Sequence, residues 1–430
     1  MILAKVKNIY LVNKKIFESI SYLAIIQMVA MILTFLTYPY LIKVLGLGLY
    51  GKIMLSQAVV SYVAIFVNFG FNISAAKSAS EKINKPEQLN EICSAIIIAK
   101  TLIWLFITFI YVICILQFVP DNKNKVLYLS AYTLTFNEFL VCQWFYQAIE
   151  ELKIIATLSI ISKVTNVILI FLLVKSPSNY YFVSLITGGA YFFTGVYSIL
   201  HMFRHHIKFV VPSISVIINV TKDSFNLFLT SAIIAIKNKL DVILIGAFIS
   251  SEMVAIYDFA QKILNILLLP ITIISNATFP RMNREKNKIF LKKIILVSFG
   301  LTFIYITFSE LLLPYIMHYI FVVSHDSINI TRLMILSAIF LSLSLPLAIL
   351  SAIFLSLSLP LAQNGLIVFN YTKLHLLGML STTALYIGIM ALGYKCSLLT
   401  DVYYFVYTSL ILFAYEAFYR YSFCKWKRIL

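Results

Sequence analysis

The chain has 430 residues, 61% hydrophobic and 12% charged, with a formal net charge of +17 and a mean hydropathy of +0.94. Soluble domains carry about 25% charged residues, so these values exclude a soluble globular fold and indicate a polytopic membrane protein. The positive charge does not point to nucleic acid either: with the N-terminus inside and alternating spans, 22 of the 34 Lys and Arg fall in inside loops or tails, six lie outside or at the outer boundary, and six lie within spans. That is the positive-inside pattern that orients membrane helices.

Runs of roughly 20 apolar residues, enough to cross a ~30 Å hydrocarbon core, recur along the chain. The first, about Ile20 to Val44, follows Lys5, Lys7, Lys14 and Lys15 and is too long for a signal-peptide apolar region, so it reads as a retained span. Pro39 lies near its outer end, and the short loop Leu45–Gly51 leads to a second span, about Lys52–Ala76. The third runs from about Ile92 to Val119, the fourth from about Val126 to Gln147, the fifth over about 154–174 and the sixth over about 181–203.

The segment Arg204–Lys222 follows, with His201, His205 and His206 at its start. These histidines lack a fourth ligand, so the segment reads as an interfacial basic patch and no metal is expected. The five cysteines, at 93, 114, 142, 396 and 424, show no CxxC spacing and imply neither disulfides nor metal. No cofactor is expected.

Span seven covers about Asp223–Ile249 and span eight about Ala255–Phe279; a basic loop from Arg281 to Lys293 follows. Span nine is expected over about 294–318, span ten from near Arg332, span eleven over about 374–394 and span twelve over about 402–419. The expectation is therefore an all-α integral membrane protein of about 12 transmembrane helices in two six-helix bundles, 1–210 and 211–430, with both termini cytoplasmic. A weak internal match supports duplication: a shift of 204 residues sets Gly46–Gln57 against Ser250–Gln261.

Residues 336–348 and 350–362 both read LSAIFLSLSLPLA. With both copies helical, Arg332 to Ala362 would be ~46 Å long, well over a ~30 Å core. The unit reads as a recent duplication or a sequence artefact rather than a functional repeat.

Ionisable groups near the centre of a span are costly to hold and usually mark a transport pathway. The strongest such stretch is Ile233–Ile245, IIAIKNKLDVILI. Lys237 and Asp241 are four apart and share a face, whereas Lys239 lies ~200° around the helix from Lys237. Either Lys237 and Asp241 face a central cavity while Lys239 meets a neighbouring helix, or the reverse; a buried helix-to-helix ion pair is the competing reading.

Span eight holds a second pair, Asp258 and Lys262, shallow enough to snorkel. Lys100, Glu138, Lys163, Glu310, Arg332 and Glu416 are isolated charges, and Lys100, Glu310 and Arg332 lie nearer a boundary than Lys163 does. The candidate substrate path is thus Lys237, Lys239, Lys163 and Asp241, with Lys262, Lys100 and Arg332 secondary. Several cations in a cavity suit a phosphate or pyrophosphate. Asp241, Glu138 and Asp258 are candidates for the coupling ion, proton or sodium. Tyr38, Tyr40, Tyr403, Tyr404 and Tyr407 read as interfacial belts. No catalytic constellation is visible and the outer loops have about ten residues or fewer, which argues against an enzyme.

The stretch Tyr38–Gln57 (YPYLIKVLGLGLYGKIMLSQ), then Asn68–Asn72 (NFGFN), Trp144–Glu150 (WFYQAIE), Ser162-Lys163, Asp241–Gly246, Tyr257 with Lys262, and Pro280-Arg281 together resemble the Wzx-type O-antigen flippases of the polysaccharide transport branch of the MOP exporter superfamily. The resemblance implies a MATE-like, V-shaped, alternating-access cavity lined by cations, in the bacterial cytoplasmic (inner) membrane. It also implies undecaprenyl-pyrophosphate-linked oligosaccharide as substrate, membrane lipid as surroundings, and a polysaccharide polymerase and chain-length regulator as partners. The usual acidic residues beside the Tyr-Gly pair are replaced by Leu47-Gly48-Leu49. A drug or small-molecule exporter of the same superfamily, and a membrane glycan polymerase or ligase, are the rival readings.

Overall fold

A computed structural model describes residues 14–205, 207–266, 300, 304, 315, 329–333, 335 and 372–426. Regular structure among the described residues is entirely helical. The tandem duplication, the basic loop from Arg281 to Lys293 and nearly all of spans nine and ten lie outside them.

The chain divides into two compact units. The first takes the residues up to Thr37 and Val60–Ala232; the second takes Tyr38–Val59 and the residues from Ile233 onward. This grouping is drawn differently from the expected six-helix halves, 1–210 and 211–430, in that Tyr38–Val59 falls with the later residues and the boundary follows Ala232.

Helix α1, Lys14–Asn68, carries Pro39 and is interrupted at a single residue, Gly46, at φ 77 and ψ 162. The expected loop Leu45–Gly51 is thus a kink. The second expected span does not run unbroken to Ala76. It stops at a turn in which Phe69 and Gly70 have φ 48 and 79, after which α2 covers Phe71–Glu81. At Gly70 a side chain meets two obstacles, the left-handed φ and the backbone of a later helix: a Cβ would lie 2.5 Å from the Ser224 carbonyl oxygen and 2.8 Å from the Phe228 nitrogen. The Ser74 and Ser224 hydroxyls, 2.6 Å apart, seal that approach.

Helix α3, Pro86–Phe118, starts with Pro at its first turn, where no backbone donor is lost. Leu89, Cys93, Ile96 and Lys100 recur at helical spacing on its buried face, while Leu102, Phe106, Phe109, Ile113 and Leu116 stay exposed. Both faces are apolar because one meets protein and the other lipid.

The fourth expected span is broken. Helix α4 (Asn122–Tyr132) passes through a 3₁₀ turn (Thr133–Thr135) into α5 (Phe136–Leu140); the chain then extends through Val141 and Cys142 before α6 (Gln143–Ala148). Backbone groups freed at such a break need partners inside the protein. The Cys142 N–H donates to Ser198 Oγ at 3.1 Å.

Ser198 lies on α8 (Phe182–His205), which packs along α7 (Leu152–Leu173) as well as α4 and α5. Small residues allow the contact: a Cβ on Gly195 would lie 2.4 Å from Leu140 Cβ. Phe71, Cys93, Ile96, Trp144, Phe145, Tyr146 and Met202 form the core beneath.

Helix α9, Ile214–Phe248, has 35 residues and is ~52 Å long at 1.5 Å per residue. It begins nine residues before the expected Asp223, and the division between units falls within it, after Ala232. In the second unit it is joined by α10 over residues 251–266, α11 (Thr372–Lys395) and α12 (Val402–Trp426). Tyr404 of α12 donates its hydroxyl to the Ile389 carbonyl of α11 at 2.5 Å. Leu36–Glu81, Pro86–Phe118, Lys153–Leu173 and Pro177–Arg204 are the four described segments long and apolar enough to cross a bilayer.

Gly70→Ala is expected to lower the unfolding midpoint of the detergent-solubilised chain, through strain of ~1–3 kcal/mol. Gly189→Ala is the control: a Cβ there meets nothing within 4 Å, and a helix-interior Ala is favoured by about 0.5–1 kcal/mol. Equal shifts in the two variants would remove the special role of Gly70.

Candidate functional site

Asp241, on the later part of α9, is 5% exposed. Its carboxylate gathers donors from three other helices of the second unit: Tyr386 of α11 donates to Oδ1 at 2.5 Å, Tyr257 of α10 to Oδ2 at 2.7 Å, and Ser409 of α12 to Oδ2 at 3.3 Å. The Tyr257 and Ser409 hydroxyls are 3.1 Å from each other, and both tyrosines are fully buried. A buried charge must be hydrogen-bonded to be tolerated, and these donors are neutral. A hydroxyl also carries lone pairs and rotates freely, so the same oxygens that stabilise the anion can turn to coordinate a hard cation or leave room for a proton.

Glu138 on α5 is held differently. Asn68 and Asn72, on either side of the Gly70 turn, donate their amide nitrogens to Oε2 at 2.5 and 3.2 Å, and Asn137 donates to Oε1 at 2.9 Å. Lys100 of α3 is 2% exposed, and its Nζ has no hydrogen-bond partner among the described residues. A buried ammonium in that position costs several kcal/mol.

Asp258 and Lys262 pair across one turn of α10 at 2.5 Å. Lys262 does not snorkel outward. Its Nζ also donates to the Tyr50 hydroxyl at 2.9 Å and lies 4.9 Å from the Tyr38 ring centroid, a cation–π distance. Tyr38 is therefore no belt residue. It is 3% exposed, donates to the Ala255 carbonyl at 2.9 Å and packs 4.9 Å from Phe259.

Of the remaining sequence candidates, Lys163 on α7, Lys239 on α9 and Arg332 within 329–333 are half-buried. Lys237 is in α9, but its side chain, and with it the expected pairing to Asp241, lies outside the described residues, as do His206 and the side chain of His205. His201 shares a 3.1 Å hydrogen bond with Tyr146. Among the described residues no group of three His, Cys, Asp or Glu is placed to hold a metal.

The structure brings Asp258 and Lys262 together and separates Asp241 and Glu138 into sites of their own. The partners are what sequence reasoning missed. Asn68 and Asn72 had a signal, two amides on one face of an apolar run. Tyr386 and Ser409 had none, since they lie 145 and 168 residues from Asp241.

The family described as "Polysaccharide biosynthesis protein" matches residues 16–286. A relative from Escherichia coli (strain K12), named "Putative O-antigen transporter", is 27% identical over 284 residues, covering 64% of this chain and 68% of that one. Among solved structures, the lipid II flippase MurJ in an inward closed conformation aligns over 93% of this chain and 87% of its own, with a TM-score of 0.70 and 15% identity. An outward-facing multidrug-resistance MATE transporter of the MOP superfamily aligns over 96% and 95%, with a TM-score of 0.64 and 13% identity. At such identities the structural matches establish the fold alone, the all-helical membrane fold of that superfamily.

Tyr386→Phe strips one donor from a buried carboxylate and is expected to cost ~1–3 kcal/mol of stability. Combined with Asp241→Asn in a double-mutant cycle followed by thermal unfolding, it should show a coupling of about 0.5–3 kcal/mol. Strict additivity would mean that the hydroxyl and the carboxylate do not interact.

Proposed function

Because the chain belongs to the polysaccharide biosynthesis protein family, we propose that it is a flippase that carries undecaprenyl-pyrophosphate-linked O-antigen or related repeat units from the cytoplasmic to the periplasmic leaflet by ion-coupled alternating access. The family and the fold are those of transporters and flippases, not of catalysts. The substrate class rests on the O-antigen name of the relative, and the setting is the bacterial inner membrane with both termini cytoplasmic. The halves 1–210 and 211–430 serve as the two bundles, and a polymerase and a chain-length regulator receive the product.

The observation that carries the coupling is the Asp241 carboxylate. Asp258 is already neutralised by Lys262 at 2.5 Å, and Glu138 is clamped by amide N–H groups. Asp241 alone of the three is surrounded by hydroxyls, which turn from donor to ligand at little cost. A proton arriving there loosens the bonds donated by Tyr257, Tyr386 or Ser409, a sodium ion turns their oxygens into ligands, and each of these residues sits on a different helix. Lys163, with whichever of Lys237 and Lys239 faces the cavity, then provides positive charge for the pyrophosphate, with Lys262, Lys100 and Arg332 in secondary roles.

Asp241→Ala and Lys237→Ala are each expected to reduce surface polysaccharide at least tenfold while the protein inserts at normal levels, as read by glycan staining and membrane immunoblot. Full complementation by both would overturn the path. In a deletion strain, lipid-linked units should accumulate on the cytoplasmic side. Drug sensitivity with intact surface glycan would favour the exporter reading, and unpolymerised units on the periplasmic side a polymerase.

A further inference from the structure

Between α8 and α9, residues 207–213 run without regular structure, yet they are tied down. The backbone N–H of Lys208 donates to Asn90 Oδ1 at 3.0 Å, that of Val210 to Ser94 Oγ at 3.1 Å, and that of Ser213 to Glu91 Oε1 at 3.4 Å. Asn90, Glu91 and Ser94 all lie in the first turns of α3. Ile207, 3% exposed, anchors the near end, and Pro212 is buried as well.

With its backbone held inward, this strap turns its apolar side chains out. Phe209 is 56% exposed and Val211 83%. The start of α9 continues the pattern: Ile214, Ile218, Phe225 and Leu229 are exposed at spacings that put them on one helical face, interrupted by the exposed Lys222. Arg204 and Lys208 are exposed at the other end of the strap. Glu91, half-buried, is engaged by Ser213; Asp223, beside Lys222, and Glu87, one turn before Glu91 on α3, are exposed acids set against three exposed cations.

The depth of the strap follows from α3. Asn90 and Glu91 are the polar residues just before the run that opens at Ile92 and carries the exposed Leu102, Phe106 and Phe109 further along. A strap bonded to residues 90–94 therefore runs along the polar–apolar boundary of the bilayer, and the stripe it begins continues on α9 into Phe225 and Leu229. Exposed apolar groups flanked by basic ones at that level match an amphipathic interfacial anchor.

We propose that residues 207–213 and the first turns of α9 form such an anchor on acidic phospholipids. Phe209, Val211, Ile214 and Ile218 enter the upper acyl region, and Arg204, Lys208 and Lys222 meet headgroup phosphates. The chemistry required of the lipid is a negative headgroup above an apolar chain, so a zwitterionic surface satisfies only half of the site. A protein partner is the weaker fit, because the stripe is continuous with residues of the same helix face that lie deeper in the bilayer.

The test uses the full chain with its five cysteines replaced and one cysteine introduced by Val211→Cys, labelled with a fluorophore and reconstituted in phosphatidylcholine vesicles with or without phosphatidylglycerol. Lys123→Cys, at the exposed start of α4, is the aqueous control. The Val211 label should be quenched at least threefold less by iodide than the control, and at least threefold more by lipid spin-labelled near the headgroup. Phosphatidylglycerol should raise that lipid quenching, and Arg204→Gln, Lys208→Gln and Lys222→Gln together should abolish the rise. Iodide quenching equal to the control overturns the anchor, and lipid quenching indifferent to phosphatidylglycerol overturns the acidic headgroup. Iodide access in vesicles with protection in native membranes would overturn it in favour of a protein partner. If cysteine replacement impairs folding, Val211→Trp read with brominated lipids gives the same comparison.

Discussion

A carboxylate held in an apolar helix bundle must draw its hydrogen bonds from the protein, and this requirement organises much of the polar interior described in both units. Three carboxylates meet it in three ways. Asp258 takes an ammonium, and Lys262 is backed in turn by the Tyr50 hydroxyl and the Tyr38 ring. Glu138 takes three carboxamides. Asp241 takes three hydroxyls from three helices. An ion pair is neutral and self-contained, and an amide clamp is satisfied but directional. A set of hydroxyls can reverse its polarity when an ion or a proton arrives.

The same requirement applies to the backbone. Where the fourth span breaks at Val141 and Cys142, Ser198 accepts the freed N–H, and where the strap at 207–213 leaves helical geometry, side chains of α3 accept three of its donors. Non-helical backbone at membrane depth survives only with such partners. In the first unit the irregular positions also carry the polar residues: Glu138 lies between the 3₁₀ turn and the break, and Asn68 and Asn72 flank the left-handed turn at Phe69 and Gly70. Departures from the helix and buried polar groups coincide because each offers the other a hydrogen-bonding partner.

Much of the fold was legible in the sequence. Hydropathy marked the spans, since a helix that crosses lipid must be apolar over about 20 residues whatever its neighbours, and α3, α7 and α8 fall close to the expected limits. Less legible were the interruptions. Gly46 reduces an expected loop to a kink, the fourth span breaks in the middle, and α9 starts at Ile214 rather than near Asp223. Hydropathy averages over a window and does not register where single backbone bonds are exchanged for side-chain ones. The glycan-exporter resemblance read from Tyr38–Gln57 and the later motifs agrees with the family match over residues 16–286.

The sequence by itself determined that the chain is an all-helical membrane protein, and which ionisable residues would be costly to hold there, because both follow from composition and local spacing. The Asp258–Lys262 pair belongs to the same class, since residues four apart on a helix are neighbours in any context. Only the tertiary structure decided what surrounds each charge. Tyr257, Tyr386 and Ser409 reach Asp241 from 16, 145 and 168 residues away, and Tyr38 leaves the expected belt to cover Lys262. Such partners are chosen by how helices pack against one another, and that packing leaves no periodic trace in any one of them.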